Sequence, residues 1–154
     1  MVNAFKIDSR NVLNLLKQLP REVVSKRGGP VRAALRKGAV VIQKQVKQNL
    51  VGGLDPEATM LLLKSVVVTR GKEPTSGRGE RYLVRIKRAT YLRGNGKPVT
   101  TLKSAQIKEY GSEKQAAEPF IVPAFKAKAR EAIEVTVKSL VTSVDAIVKR
   151  LGKK

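Results

Sequence analysis

Few side chains in this sequence have the type and spacing that catalysis needs. Glu131 and Glu134 stand one helical turn apart, which makes half of a metal site at best. Lys126, Lys128, Arg130 and Lys138 surround them, so local ion pairing is the expected use. Serines and lysines are present, as in Ser–Lys hydrolases, but no strained nucleophile turn surrounds any serine. The glycine-rich stretches GKEPTSGRGE and RGNGKP lack both phosphate-loop spacing and the strand–glycine–helix setting that it requires. Histidine and cysteine are absent, which removes the commonest general base, the usual zinc ligands and every disulfide. The expectation is a protein with no catalytic residues, no metal and no cofactor.

Positive charge is what the chain has in quantity: 32 Lys+Arg against 12 Asp+Glu, formally +20 over 154 residues. So large an excess repels other copies and favours polyanionic neighbours, such as nucleic acid or acidic protein surfaces. Arg81, Arg85, Lys87, Arg88 and Arg93, with Tyr82 and Tyr91 between them, resemble a stacking-and-phosphate surface. The competing reading has Tyr82 in the core and the cations merely solvated. Arg32, Arg36, Lys37 and Lys44 form a second candidate set on a helix. No Trp and only 3 Phe argue against a dedicated single-strand binder, and no helix-turn-helix or zinc spacing is visible. Cations spread over every element suit contact without sequence reading.

These side chains must be positioned by one domain, residues 1–154, with a core of Val, Leu, Ile and Ala. Ser9 caps a first amphipathic helix carrying Val12, Leu13, Leu15, Leu16 and Leu19, which Pro20 closes. Residues 21–29 are basic and end in Gly28-Gly29, so they read as a connector or a frayed helical extension. Pro30 opens a long second helix with one stripe through Val31, Ala34, Leu35, Gly38, Val41, Ile42, Gln45, Val46 and Asn49. Gly52-Gly53 stop it. Within that helix Gly38 costs about 1 kcal/mol against Ala, so it is either tolerated or marks a close backbone approach.

A short helix then leads into a β-branched strand at Ser65 to Arg70, which pairs with the alternating strand Arg81 to Arg88. Residues 89–101 read as a loop with room for a short strand, and Leu102 to Tyr110 as a third strand. The last helix runs from about Pro123 to Leu151. Its stripe of Ile133, Val137, Leu140, Val144, Ile147 and Leu151 is narrow, like a helix–helix seam. The basic tail 152–154 follows. This order predicts an α+β fold: a small antiparallel sheet of three to four strands packed on two long helices, with a short N-terminal helix. No apolar run approaches the roughly 20 residues that span a bilayer, and no signal-peptide core is visible, so an intracellular product is expected.

The most distinctive passage is IKEYGSEKQAAEPFIVPAF, residues 107–125. Glu109, Tyr110, Gly111 and Ser112, then Pro119, Phe120, Ile121, Pro123 and Ala124, resemble a block in the minor tail-component, neck and tail-completion (head–tail joining) family of long-tailed bacteriophages. There a strand ending Glu-aromatic-Gly-Thr precedes a short loop and Pro-Phe-hydrophobic-x-Pro-Ala. LRKGAVVIQKQVKQN resembles the family's Ala-Lys-rich helix, and Gly53-Leu54 with Leu63 to Val66 its Gly-x-Leu to Ser-Ile passage. Ser112 stands where Thr is usual, and the lysine load is heavy for the family.

The resemblance spans residues 30–151 and implies an α+β structural virion protein, assembled in the host cytoplasm and placed in the phage tail or neck. It implies a ring of copies, a hexamer by the symmetry of tail tubes, joining tail to head. Its implied partners are tail-terminator, tail-tube and head-completion or connector proteins, with double-stranded DNA crossing the channel and no membrane. The alternative from charge alone is a sequence-nonspecific nucleic-acid-binding protein. Phe120 is expected in the core beneath the last helix rather than against a partner. For Glu109 the expectation is a salt bridge to a neighbouring subunit's Lys or Arg.

Overall fold

The computed structural model describes residues 29–51, 56–72 and 80–151. The expected first helix, residues 21–28 of the connector, the Gly52-Gly53 stop and the tail 152–154 lie outside the described residues.

Helix α1 spans Pro30–Leu50, with proline in its first turn, where a missing N–H leaves nothing unpaired. Helix α2, Pro56–Ser65, passes directly into strand β1, Val66–Arg70, where three consecutive valines switch the backbone to the extended form. Strand β2, Tyr82–Ile86, pairs antiparallel with β1 in the register Val66↔Ile86, Val68↔Val84 and Arg70↔Tyr82. The expected alternation holds: Tyr82, Val84 and Ile86 turn inward, while Leu83 and Arg85 are exposed.

Residues 89–101, expected as a loop with room for a short strand, fold into a second hairpin. Strand β3, Thr90–Leu92, pairs with β4, Pro98–Thr100, around a turn at Gly94-Asn95. The described architecture is therefore mixed helix and sheet with two separate two-stranded antiparallel sheets, in place of one sheet of three to four strands.

The expected third strand is a helix. Helix α3 spans Thr101–Tyr110; the Thr100 side chain accepts the Lys103 N–H at its start, and Gly111 ends it. The last helix, α4, spans Ile121–Leu151 and packs along α1 in the most extensive contact between described elements. The two run antiparallel: Asn49 of α1 bonds the Phe120 carbonyl, while Gly38, nearer the start of α1, meets Ala132 and Thr136.

Around Gly38 small residues make the seam: Ala124, Ala132 and Gly38 are buried, whereas Ile133 and Val137 of the expected stripe remain partly exposed and Leu140, Val144 and Ile147 are half-buried. A Cβ built on Gly38 would stand 2.1 Å from Thr136 Oγ1 and 2.7 Å from the Ala132 carbonyl. Close backbone approach is thus the reason for that glycine. The main core lies at the other end of α1. There Val46 and Leu50 meet Leu62, Val66, Ala105, Phe120 and Ala124, with Val84 and Ile86 of β2 against them.

Candidate functional site

The distinctive block forms one joint between α3 and α4. A helix begins with four backbone N–H groups that have no partner inside it. At α4 three of these donate to a single carboxylate. Phe120 N–H and Ile121 N–H reach Glu109 Oε2 at 2.8 and 2.9 Å, and Val122 N–H reaches Oε1 at 2.9 Å. The fourth position is Pro123, which has no N–H. Glu109 is 4% exposed, and its charge lies at the positive end of the helix dipole. The expected salt bridge to a neighbouring subunit is replaced by this internal cap.

Around the cap the chain is held tightly. Gly111 has φ 79°, and a Cβ there would lie 3.0 Å from both Ala117 N and the Gln115 carbonyl, so only glycine fits the turn. Lys108, buried beside Glu109, extends its ammonium to Glu118 at 2.6 Å, and Glu118 N–H donates to the Lys108 carbonyl. Phe120 is fully buried, as expected. Asn49 donates to its carbonyl at 3.1 Å while accepting from Gln45 at 2.9 Å. Ala124 is buried; Tyr110, Pro119 and Pro123 are exposed. Lys108, Glu118 and the role of Asn49 escaped the sequence reading. The one available signal was a pair of amides, Gln45 and Asn49, one turn apart on an apolar stripe.

The cationic candidates divide by availability. Arg32 is engaged: its guanidinium reaches Glu80 at 2.7 Å, and Arg70 grips the same carboxylate at 2.8 Å. The hydrogen bond from Arg70 is the main reason the Glu80 carboxyl lies below the usual glutamate value; burial pushes it up by less than that, and the hydrogen bond and charge of Arg32 lower it further. Arg36, Lys37 and Lys44 are exposed on α1. Arg81, Arg85, Lys87, Arg88 and Arg93 are all exposed as well. Tyr82 turns toward the interior, and Tyr91 spends its hydroxyl on Ser104 at 2.6 Å, so neither ring is placed as the sequence suggested for base stacking.

One apolar feature was not foreseen. A trough of about 290 Å³ lies between α1 and α4, lined by Leu35, Ala39, Ile42, Phe125, Ile133 and Val137. Phe125 is 57% and Ile133 44% exposed, far more than a packed seam allows. Glu131 and Glu134 pair with Lys128 and Arg130, as the spacing suggested. Among the described residues no group of His, Cys, Asp and Glu could hold a metal ion, and no helix is long and apolar enough to cross a membrane. Comparison with known protein families, curated proteins and solved structures returned no match for this chain.

Proposed function

We propose that this protein is a structural subunit of a long-tailed bacteriophage virion, working at the head–tail junction as a ring that completes the neck or tail. One observation carries the reading. The residues of the resembling block, separated by a loop in sequence, converge on a single joint: Glu109 caps Phe120 and Ile121, Phe120 and Ala124 share the core, and Gly111 makes the turn between them. Such a signature belongs to the architecture and leaves the outer faces to make the assembly contacts. Phe125, Ile133 and Val137 along the trough supply an apolar face for a neighbouring copy of the chain.

The +20 charge opposes that association, so ring formation should strengthen with added salt or with an acidic neighbour. Two experiments test the reading. Light scattering on the purified protein should show a ring that Ile133→Asp disperses without unfolding the subunit. Deleting the gene from the phage should leave filled heads and unjoined tails in the electron microscope, and normal infectious particles would overturn the proposal.

The net charge favours a second reading, a nucleic-acid-binding protein without sequence preference. Tight, steeply salt-dependent DNA binding with no assembly defect on deletion would select it over the first.

A further inference from the structure

Residues 81–108 contain no Asp or Glu. In an ordinary basic surface, acids are interspersed and neutralise part of the field. Here the next acid, Glu109, is buried as the cap of α4, and Lys108 is taken by Glu118. Arg85, Lys87, Arg88, Arg93, Lys97 and Lys103 are exposed, and none of them forms an ion pair among the described residues. Their positive field is therefore uncompensated locally.

The segment is also stiff. Thr101 Oγ1 donates to the Lys87 carbonyl at 2.7 Å and accepts the Ala89 N–H at 2.9 Å; Thr101 N–H returns to the Ala89 carbonyl at 2.9 Å. Tyr91 fastens β3 to Ser104 of α3, and Lys87 N–H donates to the Ser65 carbonyl. The end of β2, the β3–β4 hairpin and the start of α3 thus form one stapled unit. At its tip Arg93 and Lys97 flank Gly94-Asn95-Gly96. A Cβ on either glycine would meet nothing within 4 Å, so the backbone there is bare.

We infer that this unit, with the β3–β4 hairpin at its tip, is where the protein contacts the phosphate backbone of double-stranded nucleic acid, and that the exposed cations of α1 are not part of that contact. The inference rests on the polyanion contact contained in both functional readings and places it. Cations fixed on a stiff scaffold lose little freedom on meeting a regular array of phosphates. One of these cations also stands away from α1. The inward face of β2 packs against the core end of α1, so Arg85 stands on the opposite side of the sheet from that helix. An acidic protein is the competing partner. Double-stranded nucleic acid is favoured because residues 81–108 carry no anion of their own, and a protein partner is normally matched by both signs of charge.

The test is a salt titration of binding by the full chain to a labelled duplex of mixed sequence. Each phosphate contact contributes about 0.9 to the slope of log K against log salt. If the six free cations each meet a phosphate, the slope is about −5, and Arg93→Ala with Lys97→Ala lowers its magnitude by about 1.8. The pair Arg36→Ala with Lys37→Ala, which removes the same charge, should leave the slope unchanged. Equal losses from both pairs would overturn the placement while keeping the nucleic-acid reading, since diffuse charge alone would then explain binding. Competition by polyglutamate as strong as that by unlabelled duplex would assign the surface to an acidic protein. Absence of duplex binding at low salt would overturn the placement and the nucleic-acid reading together.

Discussion

Replacing Glu109 by glutamine tests the joint most directly. The amide keeps one carbonyl oxygen, enough for Phe120 and Ile121 N–H, but turns an NH₂ group toward Val122 N–H. One donor loses its partner in a buried site, which costs about 1–3 kcal/mol. The negative charge at the start of a 31-residue helix also disappears, and a partly buried charge there contributes up to about 2 kcal/mol. Together these predict a loss of about 2–4 kcal/mol, since the two effects overlap. For a chain of this size that lowers Tm by about 4–16 °C. Thermal unfolding followed by far-UV circular dichroism, at two protein concentrations, measures it. The drop should be the same at both, because the bonds are internal. A Tm shift equivalent to less than about 0.5 kcal/mol, as for an ordinary surface substitution, would refute the cap. A shift seen only in the concentrated sample would restore the bridge between subunits.

Gly38→Ala gains about 1 kcal/mol of helix propensity yet drives a methyl group into Thr136 and the Ala132 carbonyl. The expected net result in denaturant is destabilisation of about 1–3 kcal/mol, and a more stable variant would contradict the close approach. Phe120→Ala empties the largest fully buried side chain and should cost about 3–5 kcal/mol in the same assay. Glu80 carries a pH prediction. Its folded pKa lies below the ordinary 4.5, so its contribution is present above that value and is lost as the pH falls through the folded pKa. Glu80→Gln should therefore be less stable than the parent at neutral pH, with the gap closing in acid; a gap independent of pH would argue against the Arg70–Glu80–Arg32 bridge.

Where apolar residues carried the pattern, the sequence was readable. Helix α1 announced itself by Pro30 and its stripe, and β2 by strict alternation from Tyr82 to Ile86. Helix α3 hid for an opposite reason. Its buried positions, Thr101, Ala105, Lys108 and Glu109, have helical spacing, but three of the four are polar, so an apolar template missed them. Thr100 as cap, Gly111 at the end and the Lys, Ala, Gln and Glu between were the usable cues. On α4 the regular spacing of large side chains marked the helix, and Gly38 offered the cue to a close backbone approach, but a glycine alone does not say which neighbour meets it. The joint was legible as a distinctive block, but the use of Glu109 was not, because a cap requires knowing which helix begins beside it.

The two fixed points between α1 and α4 make the long helix behave as a beam on two supports. Asn49 pins it at Phe120 and Gly38 steadies it near Ala132 and Thr136. On α4 these supports, at Phe120 and Thr136, are 16 residues apart, about 24 Å, and α4 runs on from Thr136 to Leu151 for about 22 Å more. Leverage follows from those lengths: a sideways error of about 1 Å at the Gly38 support becomes about 1.9 Å at the far tip. A rigid glycine contact therefore sets where the end of the beam is presented, and a slight misfit there would be magnified at whatever surface that tip must meet.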